Sequence, residues 1–162
     1  MLAEVEPSGR RLSVGVGMGL LGRVLDGLGR PLAQSGAPFV PEAAVPLEAP
    51  PPPLDRPLVT RLLPFGTRAI DGLLACAEGQ RIGIFGPAGA GKSTLMARLV
   101  KGAEADVFVI ALVGERGREV AEFLEHTLGP EARKRAVVVA STSDRHAVER
   151  VKAALVATSI AE

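Results

Sequence analysis

The sequence predicts an α/β domain built on a mainly parallel sheet, incomplete, with a short β-rich segment ahead of it. Three observations carry this. Beyond Thr67, short apolar runs alternate with stretches of helical period. One such run leads directly into a glycine-rich segment, Gly86-Pro-Ala-Gly-Ala-Gly-Lys-Ser93, and a helical stretch follows it. Proline divides the chain: eleven of its thirteen prolines lie at or before Pro64, eight of them between Pro41 and Pro64.

Proline fixes φ and removes a hydrogen-bond donor, so residues 41–66 are expected to form an extended connector outside any sheet. That places an N-terminal piece at 1–40 and the α/β piece at 67–162. In the first piece, Gly22-Arg-Val-Leu-Asp-Gly-Leu-Gly-Arg-Pro31 reads as a short strand broken at Asp26-Gly27, a hairpin turn signal. In the second, 81–85 is a strand, and 92–101 is a helix with Leu95, Met96, Leu99 and Val100 at helical spacing and Gly102 as its stop. Residues 107–113 are continuously apolar, as expected of a strand buried on both faces. Val120, Phe123, Leu124 and Leu128 mark a helix closed by Gly129-Pro130. Residues 136–140 form a third strand. Ser143 or Asp144 can cap a last helix, whose buried face is read as Ala147, Val151, Ala154, Leu155 and Thr158.

Composition narrows the function classes. With 47% hydrophobic and 23% charged residues the chain can bury a core. A net charge of +1 and the lack of Trp and Tyr argue against nucleic-acid binding. The single cysteine, Cys76, excludes a disulfide framework, suits a reducing compartment and is expected to be an inert buried thiol. The first eleven residues lack a secretory h-region, and the apolar run 107–113 is too short to span a bilayer, so a soluble protein is expected.

Gly86 to Ser93 matches the phosphate-binding pattern G-x-x-x-x-G-K-S/T in its required context between strand and helix. Glycines let the backbone wrap phosphate, N–H groups point inward, and the helix presents its positive end to the anion. The binding residues expected are Gly86, Pro87, Ala88, Gly89, Ala90, Gly91, Lys92, Ser93 and Thr94. Lys92 would reach the β- and γ-phosphates and the Ser93 hydroxyl would ligate Mg²⁺. Turnover also needs a group to orient water. Glu115, just past the apolar strand, is the candidate, because ligands of open α/β sheets gather at the carboxyl ends of strands. Spacing alone leaves a solvated surface carboxylate as the alternative, and by composition Arg116 and Arg118 read as solvated.

Two weaker patterns were weighed. Gly17-Met-Gly-Leu-Leu-Gly22 fits G-x-G-x-x-G but precedes a strand and turn instead of opening a helix. Asp144 could be read as a Mg²⁺-orienting carboxylate after a strand, yet helix capping explains it without a metal. His126 and His146 have no partner at metal-ligand spacing and are expected at the surface.

From Gly22 onward the chain resembles the type III secretion ATPases, relatives of the flagellar export ATPases and of the catalytic subunit of rotary ATP synthases. The stretch from Gly22 to Pro31 looks like the end of their N-terminal β-barrel domain. Arg68-Ala-Ile-Asp-Gly-Leu-Leu74 and Glu78-Gly-Gln-Arg-Ile-Gly-Ile-Phe85 are similar to the approach to their P-loop. Gly114-Glu-Arg-Gly-Arg-Glu-Val120 is similar to the export branch through Gly117 and Val120. Val138-Val-Ala-Ser-Thr-Ser-Asp144, with Val156-Ala-Thr-Ser-Ile-Ala-Glu162, favours the virulence-type enzymes.

The resemblance implies a RecA-like P-loop NTPase core, ATP and Mg²⁺ as substrate and cofactor, and catalytic roles for Lys92, Glu115 and Arg116, with Glu115 polarising the attacking water. It implies a hexameric ring at the cytoplasmic face of the inner membrane, with the export apparatus stalk, regulator proteins and secretion chaperones as partners. Hydrolysis would drive chaperone release and unfolding of exported proteins. Against that family the sequence reads as truncated at both ends: most of the barrel, the strand ending in a Mg²⁺-assisting Asp, the arginine reaching a neighbouring site, the adenine contact and the C-terminal helical domain are missing from it. Two functions are therefore expected to compete: an ATP hydrolase coupled to protein export, or a nucleotide-binding or subunit-interaction piece without turnover.

Overall fold

A computed structural model of the chain describes residues 9–32, 38–47, 57–87 and 89–162. Its centre is a three-stranded parallel sheet in the order β2 (Val24–Leu25), β5 (Ala136–Ser141), β4 (Phe108–Val113). The registers pair Val24 with Val138 and Phe108 with Ala136. All six residues of β5 are buried, as continuous Ala136-Val-Val-Val-Ala-Ser141 requires of a strand covered on both faces.

Alternation along β5 sorts the core into two layers. On one face Ala136, Val138 and Ala140 meet Ile110, Leu112, Val120, Phe123 and Leu128. This side is closed by helices α2 (Lys92–Gly102) and α3 (Gly117–Glu122) and by a π-helical turn over Phe123–Leu128. On the other face Val137 and Val139 meet Val14, Leu20, Leu25, Leu47 and three residues of α5 (Ala147–Ala161). Two short helices complete the chain, α1 (Arg68–Leu73) and α4 (Pro130–Lys134), the latter opening with Pro at its first position as that residue favours.

The N-terminal piece is tied to this sheet. β1 (Ser13–Val16) pairs antiparallel with β3 (Ala43–Pro46), and β2 joins the parallel sheet directly. The expected connector therefore contributes a strand: Ala43, Ala44 and Val45 carry free N–H groups between Pro41 and Pro46, and Pro46 ends the strand where its missing donor costs least. The turn at Asp26-Gly27 forms as expected, with Asp26 N–H donating to the Arg30 carbonyl at 2.8 Å.

Four further expectations are corrected. Residues 81–85 are not a strand: no described strand pairs with them, and an apolar run becomes a strand only where a neighbour completes its ladder. Phe85 is 96% exposed as a result. β4 is fully buried on one face only: Phe108, Ile110 and Leu112 point inward, while on the other face Val109 is half-buried and Ala111 and Val113, which the second core layer does not reach, are exposed. Neither Ser143 nor Asp144 caps the last helix, whose cap position is His146 without a side-chain bond. Asp144 instead accepts the Thr142 hydroxyl, which lowers its pKa. Finally, α5 buries Ala153, Val156, Ala157 and Ser159 and turns Val148 and Val151 outward. The helix is apolar nearly all round, so spacing did not single out a face. Small Ala153 and Ala157 let it sit close on the sheet.

Other expectations hold. α2 begins at Lys92, with Met96, Leu99 and Val100 on its inner side. Gly102, its last residue, also permits a close approach, because a Cβ there would collide with the Phe65 carbonyl. Gly129, at φ 77°, closes the π-helical turn. Cys76 is buried and its thiol donates to the Leu74 carbonyl. Gly17 precedes a three-residue 3-10 turn, Met18–Leu20, and opens no α-helix. His126 and His146 are exposed.

Leu25 is fully buried between β5 and α5, so Leu25→Ala should cost about 2–5 kcal/mol of unfolding free energy. Val151→Ala, on the outer face, should stay within about 0.5 kcal/mol. Urea denaturation of the two variants tests both the N-terminal segment's place in the core and the facing of α5.

Candidate functional site

The glycine-rich loop leads into α2 through two glycines that need positive φ, Gly89 at 76° and Gly91 at 82°. A side chain at either would be strained whatever the space around it. Ala88 lies outside the described residues. Gly91 is the cap of α2, and its carbonyl accepts the Leu95 N–H at 2.8 Å. No side chain caps this helix, so the first-turn N–H groups of Lys92, Ser93 and Thr94 keep the donor capacity a bound anion would use. The Lys92 ammonium is held over the loop by the carbonyls of Gly86 and Pro87, each 2.7 Å away. Two neutral acceptors place the cation there without neutralising it.

Ser93 and Thr94 line a cleft of about 220 Å³ together with Glu115, Glu119, Glu122, Phe123 and Thr127. The structure thus brings the loop's hydroxyls and the candidate carboxylate to one hollow. Larger hollows lie elsewhere, about 580 Å³ beside Ile82, Ile84 and Phe85 and about 450 Å³ beside Arg11 and Lys152. Neither contains the loop's Lys92 or Ser93. Arg116 and Arg118 are exposed and do not line the cleft.

Glu115 stands at the carboxyl end of β4, where the chain is pinned to β5. Gly114 N–H donates to the Ser141 carbonyl at 2.8 Å, and Ser143 N–H donates to the Glu115 carbonyl at 3.0 Å. Partial burial and the neighbouring Glu119 push the Glu115 carboxyl above its ordinary value, and Lys92 opposes that rise. Glu119 moves the other way, mainly because the Arg116 N–H donates to its carboxylate at 3.1 Å.

Sequence reading missed Glu119, Glu122 and Thr127. Glu119 left a signal. It lies three residues past the cap position Arg116, where a glutamate reaches back to the cap's N–H, and four past Glu115, on the same side of a helix. Thr127 left none, because the π-helical turn shifts the helical phase, and Glu122, the last residue of α3, reads as an ordinary solvated carboxylate.

Residues 66–162 match the ATP synthase alpha/beta family, nucleotide-binding domain. The chain belongs to this family. Over 160 residues it is 52% identical to a type 3 secretion system ATPase of Sinorhizobium fredii, covering 99% of the chain and 36% of that protein. It is 50% identical to the flagellum-specific ATP synthase of Bacillus subtilis over 161 residues, 98% of the chain and 36% of that protein. The assembled ATPase EscN of the enteropathogenic E. coli type III secretion system superposes with a TM-score of 0.84 at 50% identity, over 95% of this chain and 37% of the other. The chain thus spans little more than a third of the length of the relatives it matches.

The two carboxyls should separate in a 13C-detected titration, Glu115 above the ordinary glutamate value and Glu119 below it. Lys92→Ala should move Glu115 further up, since it removes the one group that lowers it. The sign follows from linkage. A raised Glu115 favours the fold below its unfolded value, and that contribution is lost as pH rises through the folded value. The lowered Glu119 favours the fold above its unfolded value, and its contribution is lost as pH falls. Coincident titration of the two groups would contradict the assigned geometry.

Proposed function

We propose that this chain is the nucleotide-binding part of an Mg²⁺-dependent ATPase that energises type III protein secretion. The observation that carries the reading is the convergence of Ser93, Thr94 and Glu115 on one cleft beside the glycine-rich loop. Support comes from two branches of secretion and flagellar ATPases at about half identity. The segments quoted above favour the virulence-type branch.

Gly86, Pro87, Ala88, Gly89, Ala90 and Gly91 form the phosphate cradle, and Lys92 leaves its two carbonyls for the β- and γ-phosphates. The Ser93 hydroxyl, with the Glu115 and Glu119 carboxylates lining the same cleft, offers the hard oxygen donors that suit Mg²⁺. When bound, Mg²⁺ supplies charge neutralisation at the β- and γ-oxygens. Glu115 accepts a hydrogen bond from the attacking water and orients it. Its raised pKa makes it a better base than an ordinary carboxylate. Arg116 contributes positive charge at the rim.

In this reading 67–162 is the first part of a RecA-like domain, 1–40 the remnant of an N-terminal β-barrel domain and 41–66, apart from the strand Ala43–Pro46 paired with β1, the link between them. The intact protein would work as a hexameric ring with a stalk, as suggested by EscN, which has been described assembled and in complex with its central stalk EscO. Regulators and secretion chaperones would be its other partners. ATP hydrolysis would serve chaperone release and unfolding of exported proteins at the cytoplasmic face of the inner membrane. No helix among the described residues is long and apolar enough to cross a membrane.

A second reading, a subunit-interaction piece without turnover, is favoured by the exposed Phe85 beside half-exposed Ile82 and Ile84. Calorimetry with Mg²⁺-ATP, alongside phosphate release, separates the two. Lys92→Ala should weaken binding by about tenfold or more, the worth of a charged hydrogen bond of about 1.5–3 kcal/mol. Glu115→Gln should bind within about twofold of the native chain yet lose about 10²-fold or more of turnover. Binding without any phosphate release would favour the second reading. Equal binding by the native chain and Lys92→Ala would overturn the first.

A further inference from the structure

The turn after β2 lies at the same end of the sheet as the candidate carboxylate, across β5 from it, with no role assigned to it so far. Parallel pairing sets Leu25 opposite Val139, so continuing two residues brings Gly27 level with Ser141. On the other side of β5, Ser141 is paired with Val113. The carboxyl ends of three neighbouring strands therefore stand side by side, and Glu115 leaves from the third.

The contacts across these ends are tight. A Cβ on Gly27 would lie 2.8 Å from the Glu149 carbonyl oxygen and 3.1 Å from Ser141 Oγ, so only glycine lets the turn seat there. Ser141 is wholly buried and its Oγ has no hydrogen-bond partner among the described residues, which leaves packing to set that side chain's position. Its main chain is engaged: the Ser141 carbonyl accepts Gly114 N–H, and two residues on Ser143 N–H donates to the Glu115 carbonyl. The turn itself is stiff, because Asp26 Oδ1 accepts the N–H groups of Leu28 and Arg30, both at 2.9 Å.

We propose that the turn at residues 26–30 is a positioning element for Glu115, acting from Gly27 through Ser141 and Ser143. The inference rests on Glu115 being the water-orienting group. The N-terminal segment would thereby set the geometry of a site it does not touch, and a displacement of that segment would reach the site through one strand end. Interiors are packed densely enough to transmit such a displacement.

Amide hydrogen exchange by NMR on the full 162-residue chain tests this without requiring turnover. Gly27→Ala should speed exchange at Ser143 and Gly114 by about tenfold or more while Leu95, in α2, keeps its native rate. Asp26→Ala should act in the same direction without adding bulk, and Asp26→Asn, which retains Oδ1, should restore native rates. If Gly27→Ala does not fold, the Asp26 pair decides. Native rates at Ser143 and Gly114 in Asp26→Ala would overturn the proposal. So would equal acceleration at Leu95, which would mark the turn as a contributor to global stability alone. Mg²⁺-ATP binding, followed on the same samples, separates the two claims: its absence in the native chain defeats the nucleotide reading, while the exchange pattern still decides whether the turn sets Glu115.

Discussion

Burial of β5 on both faces is the constraint on which the rest of the structure depends. A strand with all six residues buried must be paired on both edges and covered above and below, because unpaired backbone groups away from water are costly. β2 and β4 supply the edges, α2, α3 and the π-helical turn cover one face, and α5 with the N-terminal strands covers the other. This is why a two-residue strand from the N-terminal piece matters to an α/β core: without β2, the Val138 N–H, which donates to the Arg23 carbonyl, would lose its partner.

The candidate site inherits its precision from that strand. Glu115 is held at the carboxyl edge through Ser141 and Ser143, while the loop's hydroxyls arrive from α2, which packs on the same core layer. The carboxylate pair Glu115 and Glu119 adds an electrostatic consequence. Two acids at one cleft shift in opposite senses, one raised by desolvation and its neighbour, the other lowered by a backbone N–H. The raised member of the pair is the proposed base, and the lowered one reaches back to the cap position of α3.

What was legible in the sequence were features with local causes. The glycine-rich loop announces itself because its glycines, lysine and serine match a pattern of fixed spacing, and Gly89 and Gly91 take the positive φ that only glycine adopts freely. The central strand could be read because its apolar run is unbroken. Features set by neighbours could not. Residues 81–85 have the composition of a strand, but pairing decides strandness, and no described strand lies beside them. The inward face of α5 was hidden by apolar residues on nearly every side. Ala43 to Pro46 was hidden by proline density, although the residues between the prolines keep their donors. Glu119 carried a capping-box spacing to Arg116, but its place in the cleft depends on where α3 packs.

The central claim is that the glycine-rich loop and Glu115 form one nucleotide site. Its most direct test is a 15N–1H chemical-shift map of the folded chain titrated with Mg²⁺-ATP. The account predicts saturable shifts at the amides of Gly89, Gly91, Lys92, Ser93 and Thr94 together with Glu115, and none at Arg11 or Lys152 beside the separate hollow. Shifts confined to that hollow, or an unchanged spectrum from a folded chain, would contradict it.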